Sequence, residues 1–181
     1  MKSVLISICP KLVEKIVSGE KTIEVRKTAP KEVPFKCYIY MTQGTYKDLG
    51  LYREGIYQNR MKVIGEFICD KVYLIKNQGN GFVVENEAQG VTNEIASQSC
   101  LDYYDMDNYL GNKDGYGWHI SKLKIYDKPK PIMQFYKPCP IEWKNCPVCE
   151  FYSKDTGTCM NNVTQPPQSY MYVEELCKAQ N

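Results

Sequence analysis

Lys21, Glu24 and Arg26 lie in one short segment, KTIEVRK (residues 21–27). Its strict alternation is that of a β-strand, which places Thr22, Glu24 and Arg26 on one face and Ile23 and Val25 on the other. An acid and a base two residues apart on one face can read the edge of a nucleobase or clamp a phosphate. Lys21 follows Gly19, and a glycine at such a turn lets the backbone approach a ligand closely. If the segment served hydrolysis, Lys21 and Glu24 would be the catalytic pair, with Lys21 as base or nucleophile beside the Arg26 charge. The plainer alternative is a solvated salt bridge along a strand. Glu66 is a further carboxylate. On a buried apolar face it needs a cation such as Lys21 or Arg26, and on an exposed barrel edge it needs none. Trp118, His119 and Tyr40 are candidates for an aromatic pocket that stacks a base, with core packing as the alternative for Trp118. His119 is the single histidine. No nucleophile elbow, P-loop or dinucleotide fingerprint is present.

The nine cysteines divide into four early ones and five late ones, of which Cys177 is the last. Cys139, Cys146, Cys149 and Cys159 follow one another late in the chain, and Cys146 and Cys149 form a C-x2-C step whose reach suits two thiolates on one zinc ion. These four are the candidate ligands of a structural zinc that would stabilise a segment too short to bury its own core. Free thiols in a loop are the alternative. Cys9, Cys37, Cys69 and Cys100 fall in or near expected elements and read as small core hydrophobes.

The elements that must position these residues follow from periodicity. Residues 4–8 read as a strand. Leu12, Val13, Ile16 and Val17 recur at helical spacing after Pro10, giving a helix over residues 10–18 that Gly19 stops. Residues 35–42 read as a third strand, 43–60 as a long loop, and 62–76 as one long bent strand. Residues 91–111 look helical in two pieces, with Gly111 as a stop, and 116–126 form the next strand system. Parallel βαβ alternation is missing, so a small mixed or antiparallel barrel with short helices, an α+β protein, is expected. From Cys139 the composition turns to Cys, Pro and polar residues, which sets a boundary near 135/136 between a barrel and a Cys-rich extension of residues 136–181. Within that extension, residues 166–176 (PPQSYMYVEEL) would either protect a barrel edge or cover the cleft.

The 181 residues carry 23 Lys and Arg against 21 Asp and Glu, a net charge of +2, with a mean hydropathy of −0.46. That excludes a polycation and a strongly acidic tail, and no apolar run approaches the roughly 20 residues of a membrane helix. The N-terminal apolar stretch is too brief for a signal peptide, so a cytoplasmic protein with reduced thiols and no membrane partner is expected. The charge is uneven. Residues 1–36 carry eight Lys and Arg against four Glu, residues 115–147 six Lys against two acids, and residues 85–114 seven acids against one Lys. A basic face of this kind serves phosphate contacts.

The segment Gly19-Glu20-Lys21-Thr22-Ile23-Glu24-Val25-Arg26 resembles the G-x-K-x-x-x-x-R signature of the ASCH domain. The Val63-Ile64-Gly65-Glu66-Phe67 strand stands where that family has one. The segments Tyr116-Gly117-Trp118-His119-Ile120 and 123–130, with the ending at 166–176, look like its bacterial and phage subgroup. The resemblance covers about residues 2–135. It implies a PUA-like β-barrel, RNA or a modified nucleotide as ligand, no organic cofactor, and a ligand cleft around Gly19, Lys21, Glu24 and Arg26. One small bacterial branch hydrolyses N4-acetylcytidine with a Lys, a Thr three positions later and a Glu. Lys21 matches the Lys, Glu24 stands at the Thr, and Gln98 stands nearest the Glu. An RNA or nucleotide binding module, an amidohydrolase of acylated bases, and a zinc-held tail that docks a protein partner are therefore the three readings.

Overall fold

The computed structural model describes residues 1–44, 57–79, 81–84, 91–139 and 149–175. β1 (Ser3–Ile8) leads into α1 (Pro10–Val17), where proline is tolerated because the first helical N–H groups have no partner. β2 (Ile23–Arg26), β3 (Phe35–Met41), β4 (Lys62–Cys69), β5 (Val72–Asn77) and β6 (Phe82–Val84) follow. The helices α2 (Val91–Ser99) and α3 (Tyr103–Leu110) come next, and Gly111, at φ 58°, ends α3 as its position suggests. β7 (Gly115–His119), β8 (Ser121–Pro131), β9 (Phe135–Tyr136), the short hairpin β10 (Tyr152–Ser153) and β11 (Thr158–Cys159), and β12 (Tyr170–Glu175) complete the order.

Two sheets result. The larger runs β8-β4-β3-β1-β12-β9 and curls into a half-barrel. It is antiparallel except where β1 and β3 run parallel. The smaller runs β2-β7-β5-β6. β1 and β3 are apolar on both faces because both faces are covered. Val4, Ile6 and Ile8 meet Val13 and Ile16 of α1 with Phe35, Cys37, Ile39 and Trp118, whereas Leu5 meets Tyr38, Tyr40 and Val173 on the far side. A separate core forms where Ile23 and Val25 meet Ile75, Ile95, Met106 and Leu110. At the usual coefficient of about 25 cal/mol per Å², each such aliphatic side chain contributes roughly 1.5–3 kcal/mol by leaving water.

Two expectations need correction. Residues 62–76 are not one bent strand. The chain breaks at Asp70 and Lys71, and β4 and β5 belong to different sheets. Nor does the barrel end near 135. β12 lies inside the large sheet, pairing with β1 from Ser3↔Val173 to Ile6↔Tyr170 and with β9 on its other side. Composition marked a boundary that hydrogen bonding does not respect. Among the described residues no helix is long and apolar enough to cross a membrane.

Candidate functional site

Gly19, at φ +80°, turns the chain sharply out of α1, and Lys21 N–H bonds back to Lys15 O at 2.9 Å. The turn drops the Lys21 side chain into the space between the two sheets, where it is only 1% exposed. β2 then presents Glu24 and Arg26 to the same space, as its alternation predicts, and each is 4% exposed. Arg26 Nη2 lies 2.9 Å from Glu24 Oε1, and Lys21 Nζ lies 3.2 Å from Glu24 Oε2.

Buried charges survive only with further hydrogen bonds. Lys21 Nζ donates to Ile23 O at 2.8 Å and to Ser99 O at 2.6 Å. Ser99 is the last residue of α2, so the ammonium satisfies a helix-end carbonyl and sits at the negative pole of the helix dipole. Thr22 N–H donates to Gln98 O at 2.8 Å beside it. Arg26 donates from Nη2 to Ser7 O at 2.8 Å and from Nη1 to Ser169 O at 3.3 Å. The triad thus ties together β1, β2, α2 and the segment leading into β12. Behind it, burial pushes the Cys37 thiol well above its ordinary range, with the Arg26 charge opposing.

Two polar atoms of the triad lack a hydrogen bond, although Glu24 Oε2 is ion-paired with Lys21 Nζ at 3.2 Å. Glu24 Oε2 accepts no hydrogen bond of acceptable geometry, and Arg26 Nε has no acceptor. Both residues, with Lys21, line a cavity of about 260 Å³. Its walls come from Ser7, Ile8 and Cys9 at the end of β1, Leu12 of α1, and Leu101, Asp105 and Tyr109. The last three recur every four residues and lie along one face of α3 and the turn before it. Sequence reasoning missed this wall and the carbonyls of Ser7, Ser99 and Ser169. The four-residue spacing was legible, but not the cavity it would face.

The other candidates do not join the triad. Trp118 pairs with Glu24 in register, yet its ring is fully buried against Phe35 (5.0 Å) and Tyr170 (5.5 Å) and offers no face to the cavity. Its Nε1 is also without a partner. His119 points elsewhere, its Nδ1 2.7 Å from Asp70 Oδ1, a hydrogen bond that holds the Asp70 carboxyl below its ordinary value. Tyr40 is buried on the far face of β3, with Oη 3.4 Å from Met61 Sδ, and burial raises its phenol. Glu66 takes neither Lys21 nor Arg26 as partner. It accepts from Tyr126 Oη at 2.5 Å and lies 3.5 Å from Lys36 Nζ on the outer side of the large sheet. Of the four zinc candidates, Cys146 lies outside the described residues. Cys139, Cys149 and Cys159 are half-buried free thiols, and no metal-holding cluster occurs among the described residues.

The fold, a curled mixed sheet with a second small sheet and a short helix between the first two strands, is similar to that of solved ASCH structures. The ASCH protein of Zymomonas mobilis has a similar structure, with a TM-score of 0.56 and 17% identity over 96% of this chain and 89% of that one. A single-substitution mutant of the same protein matches with a TM-score of 0.56 and 16% identity over 97% of this chain and 92% of that one. No family model matches the sequence, and none of the curated proteins matches it.

Proposed function

We propose that this chain is a binding module for RNA or a modified nucleotide, and that one base enters the cavity over Lys21, Glu24 and Arg26. The observation that carries the reading is a buried, charged triad of Lys21, Glu24 and Arg26 lining a cavity of about 260 Å³. A carboxylate such as that of Glu24 suits an exocyclic amine, and a guanidinium such as that of Arg26 suits a ring carbonyl. The volume lies just below the usual range of small-molecule pockets, which suits one base or nucleoside rather than a larger ligand.

The same geometry supports binding over hydrolysis. Lys21 Nζ faces three oxygens, those of Ile23, Ser99 and Glu24. An ammonium so engaged has no lone pair to offer a carbonyl carbon or a proton. Calorimetric titration with nucleosides and short single-stranded RNA at low salt tests the proposal. Saturable binding that Glu24→Gln weakens at least tenfold is the expected result. Absence of binding by every nucleoside and RNA tried would overturn it. Release of cytidine from N4-acetylcytidine, lost in Lys21→Ala, would replace it with the amidohydrolase reading.

A further inference from the structure

β8 is the edge strand of the large sheet, with β4 on one side and no described strand on the other. It is eleven residues long, SKLKIYDKPKP, and would span roughly 35 Å if fully extended. Four of its residues are lysines, Lys122, Lys124, Lys128 and Lys130, against one acid, Asp127. Lys122, Lys124 and Lys128 are exposed and make no ion pair with any described residue. Lys130 lies over the Tyr126 ring at 4.6 Å, and that ring is fixed by the Glu66 hydrogen bond. The neighbouring strands add Lys62, opposite Pro131, and Lys36, beside Glu66. β8, β4 and β3 together hold six lysines and two acids, while Asp102 caps α3 and Asp105 and Asp107 lie in it.

Lysine on an edge strand also guards against pairing with another chain. Charges of mixed sign would guard it equally well. A nearly uniform row of cations along one edge is what a polyanion selects. Such a row needs no base contacts, because phosphate contacts position a strand without reading it.

We propose that β8 is the surface that tracks the phosphate backbone of a single-stranded nucleic acid. The inference rests on the cavity reading only in taking nucleic acid as the ligand, since the cavity itself has no free cation for a phosphate. Lys21 and Arg26 are both spent on Glu24 and backbone carbonyls.

The test is the salt dependence of binding to a fluorescent ten-nucleotide oligouridine, read by anisotropy. Each lysine that meets a phosphate should contribute about 0.7 to the slope of log K against log salt. Replacing Lys122, Lys124, Lys128 and Lys130 by Gln should lower the slope by between two and three and weaken binding at least tenfold at low salt. Two paired variants, Lys122→Gln with Lys124→Gln and Lys128→Gln with Lys130→Gln, should each take about half of that change, which guards against a misfolded quadruple variant. Glu24→Gln should weaken binding while leaving the slope unchanged. A slope unaffected by the lysine variants overturns the proposal, even where Glu24→Gln still weakens nucleoside binding and the cavity reading stands. A slope lowered by the lysine variants in a protein that binds no free nucleoside supports β8 and overturns the cavity reading instead. Equal displacement of the oligonucleotide by polyglutamate, with the same lysine dependence, would assign β8 to an acidic protein partner and overturn the nucleic-acid proposal.

Discussion

Glu24→Ala leaves Lys21 and Arg26 as two buried cations with no counter-charge between them. Breaking a buried pair by removing one partner costs about 3–5 kcal/mol. Here each cation keeps two carbonyl acceptors, those of Ile23 and Ser99 for Lys21 and of Ser7 and Ser169 for Arg26. The loss should therefore fall near the lower bound, about 3 kcal/mol. In a chain of this length 1 kcal/mol moves the melting temperature by about 2–4 °C, so a fall of about 6–12 °C is expected. Glu24→Gln keeps an amide oxygen for one donor and should lose about half as much. Urea unfolding followed by circular dichroism gives the free energies, and a thermal scan checks them. A double-mutant cycle with Lys21→Met should show a coupling above about 1 kcal/mol, because the two groups are 3.2 Å apart. A loss below about 1 kcal/mol in Glu24→Ala, the scale of an exposed pair, refutes the buried network. Additive single losses would refute the contact between Lys21 and Glu24.

β8 passes close to β4 at Gly65. A Cβ there would stand 2.5 Å from Lys124 O, so Gly65→Ala must force the strands apart and should cost about 1–3 kcal/mol, read as a lower urea midpoint; an unchanged midpoint would contradict the close crossing. The Asp70–His119 pair gives a pH dependence. The folded carboxyl is held below its ordinary value, so its stabilisation is present above the unfolded carboxylate pKa and is lost as pH falls through the folded one. Both side chains are partly exposed, 37% and 49%, which limits the effect to under about 1 kcal/mol. Asp70→Asn should therefore melt slightly lower than the parent near pH ~6 and equally near pH ~2; a gap that persists at the lower pH would contradict the assignment.

What was legible in the sequence is what local rules determine. The alternation of residues 21–27 put Glu24 and Arg26 on one face, and Gly19 and Gly111 stopped the two helices that they follow. Burial of Ile23 and Val25 in a different core followed from the same parity. Partner choice was not legible, because it is decided between distant segments. Parity at Glu66 left its face undecided, and only pairing of β4 with β8 brings Tyr126 to it. Trp118 carried the composition of a stacking residue, but its place opposite Glu24 turned the ring into the main core. The change in composition after residue 135 described the solubility of a segment and not its partners, so it concealed that β12 completes the sheet. The α3 wall of the cavity could be read as a helical face, yet nothing in the sequence aims that face at Lys21.

The placement of β12 has a consequence for biosynthesis. Ser3 of β1 pairs with Val173, so the two strands are made 170 positions apart. At 5–20 residues per second a ribosome takes roughly 10–30 s to deliver the second after the first. Throughout that interval β1 can pair on one side with β3, while its other edge, Val4, Leu5 and Ile6, stays unpaired and apolar. The guanidinium of Arg26 likewise waits for Ser169, made 143 positions later. The nascent chain therefore carries an open, aggregation-prone edge for most of its synthesis, and a factor that shields apolar strands near the ribosome exit would act on residues 3–8 first.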